Sequence, residues 1–158
     1  MSRHLDPETI VAAIVEGDSS VVDNYLQAGG DPDLCYHTRS LFHSAAQESD
    51  FDVVRLLLDR GALTEIADDE GHFPLYQAAA EGATEVARLL VEKGASINRV
   101  CESGSAHLIA CVYGHHDVVR YWIGVGADPD LPDPEGATAR LIAESDESQE
   151  LLRILNNG

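Results

Sequence analysis

Gly71-His72-Phe73-Pro74-Leu75-Tyr76-Gln77-Ala78-Ala79-Ala80-Glu81-Gly82-Ala83-Thr84-Glu85-Val86-Ala87-Arg88-Leu89-Leu90-Val91-Glu92-Lys93-Gly94-Ala95 reads as two short helices with their punctuation intact. Pro74 suits a first helical position, where a missing N–H costs nothing. Ala78, Ala79 and Ala80 favour helix and add almost no side-chain volume. Gly82 stops the first helix and Gly94 the second, each able to take the left-handed conformation of a helix C-terminus. Such a unit is too short to bury its own apolar face, so it requires neighbours.

The neighbours are legible as repeats. Glycines closing the second helix recur at Gly29, Gly61, Gly94 and Gly126, with spacings of 32, 33 and 32 residues. Twelve residues before each stands a mid-unit turn: Gly17, Ser49, Gly82 and Gly114. Small or apolar pairs precede that turn (Ala13-Ile14, Ala45-Ala46, Ala78-Ala79, Ala110-Cys111), and apolar pairs follow it (Val21-Val22, Val53-Val54, Val86-Ala87, Val118-Val119). Small side chains let the first helices of successive units approach closely, and larger Val and Leu of the second helices sit behind them. Trp122 takes the place of Leu57 and Leu90 and reads as core.

In these residues the chain resembles the ankyrin repeat family, whose pattern runs through a turn with Gly, Thr-Pro-Leu-His, paired Ala, a mid-turn Gly-His, a Val-Val/Leu-Leu helix and a closing Gly-Ala. Phe73 departs from it where Thr usually caps the helix, and Tyr76 where His usually sits. Ser40-Leu41-Phe42-His43 fills the same place in the second unit, and Ser105-Ala106-His107-Leu108 in the fourth, with His and Leu exchanged. The resemblance implies an all-α repeat solenoid: an ankyrin-like stack of about five helix-turn-helix units joined by β-hairpin loops. A single domain over 1–158 divides into units at about 5–30, 31–62, 63–95, 96–127 and 128–158. Hairpin fingers are expected at 31–39, 63–73, 96–104 and 128–137, the last stiffened by three prolines that limit ladder bonding. Asp6-Pro7-Glu8 predicts the first helix start, and the polar run 144–150 a terminal unit that stops the stack.

With 158 residues the chain can bury a real core. Its formal charge is −18, from 28 acidic and 10 basic residues. That opposes nucleic acid and anionic membrane, which both select cations, and permits steered association with a basic partner. No apolar leader and no stretch of about 20 apolar residues is present. Three scattered cysteines argue against a disulfide framework and for a reducing, cytoplasmic setting.

Each candidate catalytic or metal motif has a plainer structural explanation. His116-Asp117 resembles a phosphohydrolase metal dyad, but Gly114-His115-His116-Asp117-Val118 is also the mid-unit turn and the helix after it. Among the seven histidines (4, 37, 43, 72, 107, 115, 116) none pair at metalloprotease spacing. A shared surface site from His37 and His72 on adjacent fingers is the weak remaining zinc reading. The resemblance implies that His43 bonds finger backbone. Asp128-x-Asp130 with Asp133 and Glu135 is a poor calcium loop, since Pro132 takes a ligand position and Gly136 falls late. Cys111 occupies a small-residue stacking position, where a thiol is inert filler. No nucleophile elbow or phosphate loop occurs. No enzyme activity, cofactor or metal is expected.

Recognition remains. Finger tips and the exposed side of the first helices carry Tyr36, His37, Arg39, His72, Tyr76, Arg99, Val100, Ile109 and Tyr113, with the Tyr and Arg types that anchor interfaces. Tyr76 and Tyr113, from adjacent units, either form one aromatic strip ringed by Glu48, Glu70, Glu81 and Glu102 or merely cover the seam between units. The expected function is a monomeric, non-catalytic module that binds a partner protein, with a basic surface, through a concave face and fingers. An acidic inhibitor or immunity-type protein sequestering a basic toxin or enzyme is the alternative. A small metal-dependent enzyme and a self-associating spacer are the further ones.

Overall fold

A computed structural model describes residues 6–157; His4 and the expected start of the first unit at residue 5 lie outside them. Five helix pairs follow one another: α1 (Pro7–Val15) with α2 (Ser19–Gln27), α3 (Leu41–Gln47) with α4 (Phe51–Asp59), α5 (Pro74–Ala80) with α6 (Thr84–Glu92), α7 (Ala106–Val112) with α8 (His116–Gly124), and α9 (Ala139–Ser145) with α10 (Gln149–Leu155). First helices pack in the series α1, α3, α5, α7, α9, and second helices in the parallel series α2, α4, α6, α8, α10. No helix of the described residues is long and apolar enough to cross a membrane.

Local chemistry explains the starts of the first helices. Asp6 accepts the N–H of Thr9 at 2.8 Å, with Pro7 in the first turn behind it. Ser40, Ser105 and Thr138 cap α3, α7 and α9 through their hydroxyl oxygens. Phe73 offers α5 no side-chain cap, and Pro74 alone presets the helix. The mid-unit turns share one conformation: φ is +73° at Gly17, +56° at Ser49, +67° at Gly82, +72° at Gly114 and +51° at Glu147. Ser49 and Glu147 hold that left-handed geometry despite carrying a Cβ, at a conformational cost.

The core is a continuous band between the two helix layers. Ala45, Ala46, Ala78, Ala79, Ala110 and Cys111 are buried at the first-helix contacts, and Val53, Val54, Leu57, Val86, Leu90, Val118 and Trp122 behind them. No closed sheet organises it among the described residues. In the three internal pairs the first helices α3, α5 and α7 have 7 residues and the second helices α4, α6 and α8 have 9, so there the finger side of the stack is the shorter one.

The fingers are of two kinds. The first and third are two-residue hairpins: β1 (Cys35–Tyr36) pairs with β2 (Arg39–Ser40), and β3 (Val100–Cys101) with β4 (Gly104–Ser105). The second and fourth carry no strand. There Asp68 and Asp133 fold the chain tightly: each side chain accepts the N–H groups two and four residues on, at 3.1 and 2.8 Å in finger two and 2.9 and 2.8 Å in finger four. A carboxylate thus does what a ladder does in the other two.

Candidate recognition surface

The surface of interest is built by the fingers and by the exposed ends of α3, α5 and α7. Finger one presents Tyr36 and His37. His37 is exposed at φ +55°, and its ring meets Tyr36 edge-on at 4.2 Å between centroids. Arg39 on the return strand is half-buried. Its Nη1 donates to Gln47 Oε1 at 2.5 Å, and its Nε lies 3.7 Å from Asp68 Oδ2 on finger two. A cation therefore joins these two fingers.

Histidines join the units. Nε2 of His43 lies 2.9 Å from the carbonyl oxygen of His72. A carbonyl only accepts, so Nε2 carries the proton and Nδ1 accepts from Ser40 Oγ at 2.8 Å. Burial pulls the His43 pKa below its ordinary value, partly offset by that carbonyl bond. His115 repeats the device in the mid-unit turns: Nε2–H donates to the carbonyl of Ala80 at 2.9 Å while the ring lies over Gly82. A Cβ on Gly82 would stand 2.5 Å from His115 Nδ1, so glycine is required there by the neighbouring unit as well as by its own φ.

The expected aromatic strip is not open. Tyr76 is 7% exposed, stacked on His72 at 4.2 Å and 3° and set edge-on to Phe73. It lies at the seam, and burial raises its pKa. Tyr113 is 59% exposed, free of the core apart from an edge contact with His115 at 6.2 Å. Ile109 is packed against the core with part of its surface showing. Arg99 is engaged internally: its guanidinium donates to the Glu65 carboxylate and carbonyl oxygen and lies 5.0 Å from the Phe73 ring centroid. The exposed members of the expected set are His37, Val100 and Tyr113, with Tyr36 partly exposed beside His37. Val112, half exposed beside Tyr113, joins them. Nothing in its spacing distinguished it from a packed helix residue.

Electrostatics are one-sided. Seven basic residues among those described (Arg39, Arg55, Arg60, Lys93, Arg99, Arg120, Arg140) already sit against carboxylates of the chain itself. Arg88 instead lies over the Tyr121 ring at 4.8 Å. Glu48, Glu70, Glu81 and Glu102 are all exposed around the fingers and first-helix ends.

The other sequence candidates resolve into structure. His116 Nδ1 is 3.4 Å from Glu150 Oε2 of the fifth unit. Asp128 accepts the N–H of Asp130, Asp130 pairs with Arg140, and Asp133 holds its own turn. Burial pushes the Cys111 thiol up to about 12, which keeps it an unreactive filler. The ligating side chains gathered around His72 are Asp68 and Glu70, a group that does not include His37.

A family model of ankyrin repeats, in three copies, matches residues 10–101 of this chain. The chain belongs to the ankyrin repeat family. Ankyrin repeats are generally protein–protein interaction modules. This ankyrin stack is 29% identical over 97% of its length to the E3 ubiquitin-protein ligase KEG of Arabidopsis thaliana, of which it covers 10%. It is 33% identical over 72% of its length to a transient receptor potential cation channel subfamily A member 1 homolog of Caenorhabditis elegans, covering 9% of that protein. To the human ankyrin repeat and SOCS box protein 3 it is 32% identical over 60% of its length, covering 19%. The chain thus spans a fifth or less of each of these relatives.

Proposed function

We propose that this ankyrin stack is a non-catalytic module that binds a protein with a basic surface, through Tyr36, His37, Val112 and Tyr113 and the acids around them. The observation that carries the reading is the distribution of charge. The chain's cations are largely occupied by internal pairs, so its excess of acid faces outward. A basic partner gains complementarity, and its encounter is steered. Nucleic acid and anionic membrane are repelled by the same field. In this reading the chain acts as a monomer in a reducing cytoplasm, which suits its exposed, unpaired Cys35.

The same charge suits a dedicated inhibitor that sequesters a cationic toxin or enzyme, and this is the finer form of the proposal. Affinity capture with the intact chain and with Tyr113→Ala tests the face. Repeating it between about 0.05 and about 0.5 M salt tests the electrostatics. A partner retained equally by both chains removes the face, and a salt-independent affinity removes the basic partner.

A further inference from the structure

Finger two gathers three acceptor atoms with nothing between them. Asp68 is 7% exposed. Its Oδ1 holds the turn by accepting the N–H groups of Glu70 and His72 at 3.1 and 2.8 Å. Its Oδ2 is buried and makes no hydrogen bond, and the same is true of His72 Nδ1. These two atoms are 3.9 Å apart, and Glu70 Oε2 is 3.3 Å from the same nitrogen. His72 cannot turn away. Its Nε2 is 3.0 Å from Ser103 Oγ of finger three, and its ring is stacked flat on Tyr76. With the proton on Nε2, Nδ1 directs a lone pair at two carboxylates, an arrangement that calls for a cation.

We propose that Asp68 Oδ2, Glu70 Oε2 and His72 Nδ1 form a three-ligand site for a divalent transition-metal ion of the zinc type. One imidazole and two carboxylates suit such an ion. In a tetrahedral site with bonds of about 2.0–2.2 Å, ligand atoms stand about 3.3–3.6 Å apart; the two distances to His72 Nδ1 are 3.3 and 3.9 Å, and the Asp68–Glu70 oxygen pair, within 4.8 Å, would close onto the ion with them. Ser103 supplies the outer hydrogen bond that fixes the ring of a ligating histidine. The Glu70 side chain is 65% exposed, which leaves an entry path and room for a water as fourth ligand. Cys101, at the edge of the same cleft, is not a ligand: its Sγ donates to the Gly104 carbonyl at 3.0 Å, and burial keeps the thiol protonated.

The rival is a proton on His72 Nδ1, either in the neutral tautomer whose Nε2 accepts from the Ser103 hydroxyl or in an imidazolium between Asp68 and Glu70. It reaches neither oxygen in hydrogen-bond geometry, although Glu70 is within ion-pair distance. Arg39 also competes, since its Nε is 3.7 Å from the proposed ligand oxygen of Asp68. The two readings diverge at Arg39. A metal site tightens when the competing guanidinium is removed, whereas a protonated cluster only loses a cation.

The test is titration of the chelator-treated full chain with zinc sulfate by calorimetry, and with cobalt(II) followed by its visible absorption. One equivalent with tetrahedral cobalt bands is expected. His72→Ala should abolish both, and surface-exposed Glu70→Gln should weaken binding at least about tenfold without any risk to the fold. Arg39→Gln should bind more tightly, and Glu135→Gln on finger four should bind as the parent does. Equal affinity in parent and His72→Ala, no saturable binding in the parent, or weaker binding by Arg39→Gln would each overturn the site.

Discussion

The seam under finger two and the seam under finger four are built from the same parts, two repeats apart. In the first, His43 follows its capping Ser40 by three residues and reaches across to the His72 carbonyl. In the second, His107 follows Ser105 by only two. It keeps the hydroxyl bond, at 2.9 Å, but its Nε2 is buried without a partner. One position along a helix is a rotation of about 100°, enough that the ring finds no acceptor across the seam. Both fingers turn on an aspartate, yet Ala137 stands where finger two has His72. The comparison teaches that turn chemistry is transferable between repeats, while the bond across the seam depends on helical register.

The largest effect expected around the second seam is at Trp122, fully buried in α8. Trp122→Ala should cost about 3–5 kcal/mol in chemical denaturation, and loss of the C-terminal units' hydrogen-exchange protection before that of the N-terminal units would confirm the weaker half. A loss shared evenly along the stack would break the comparison.

Acid comes next. Burial holds the His107 pKa down to about 4 from 6.5. Its neutral form is the folded one, so the unfolded chain binds more protons between those values, and stability rises with pH there. The contribution is complete above pH about 6.5 and is lost as pH falls toward about 4, amounting to about 3 kcal/mol. His107→Gln should flatten that part of the pH–stability curve relative to the parent; an unchanged slope would show that His107 titrates alike in the folded and unfolded chain.

Breaking the first seam should cost less. His43→Gln removes a buried cross-repeat bond and should destabilise by about 2 kcal/mol. The reciprocal experiment exchanges the pair in the second seam, His107→Leu with Leu108→His, which returns the imidazole to the register of His43. A gain of about 1 kcal/mol is expected if register alone separates the seams, with loss of the acid sensitivity just described. Smallest is the control with one site in each half: Ser49→Gly and Glu147→Gly relieve left-handed φ values and should each stabilise by about 1 kcal/mol or less. Unequal responses would point to mid-unit turns, rather than seams, as the difference between the halves.

What the sequence determined by itself was carried by a fixed period and by helix-end rules; it expected hairpins in fingers two and four, where the Asp68 and Asp133 side chains instead hold strandless turns. Five helix pairs, the helix starts at Asp6, Ser40 and Ser105, the mid-unit turns at Gly17, Ser49, Gly82 and Gly114 and the buried alanine pairs all follow from local rules repeated at one spacing. Tertiary structure alone decided what each exposed-looking side chain meets about thirty residues away. Arg99 is taken by Glu65, His72 reaches Ser103, and Arg39 faces Asp68. The physical reason is register. A hydrogen bond across a seam tolerates a few tenths of an ångström, and a shift of one helical position moves a side chain by far more than that.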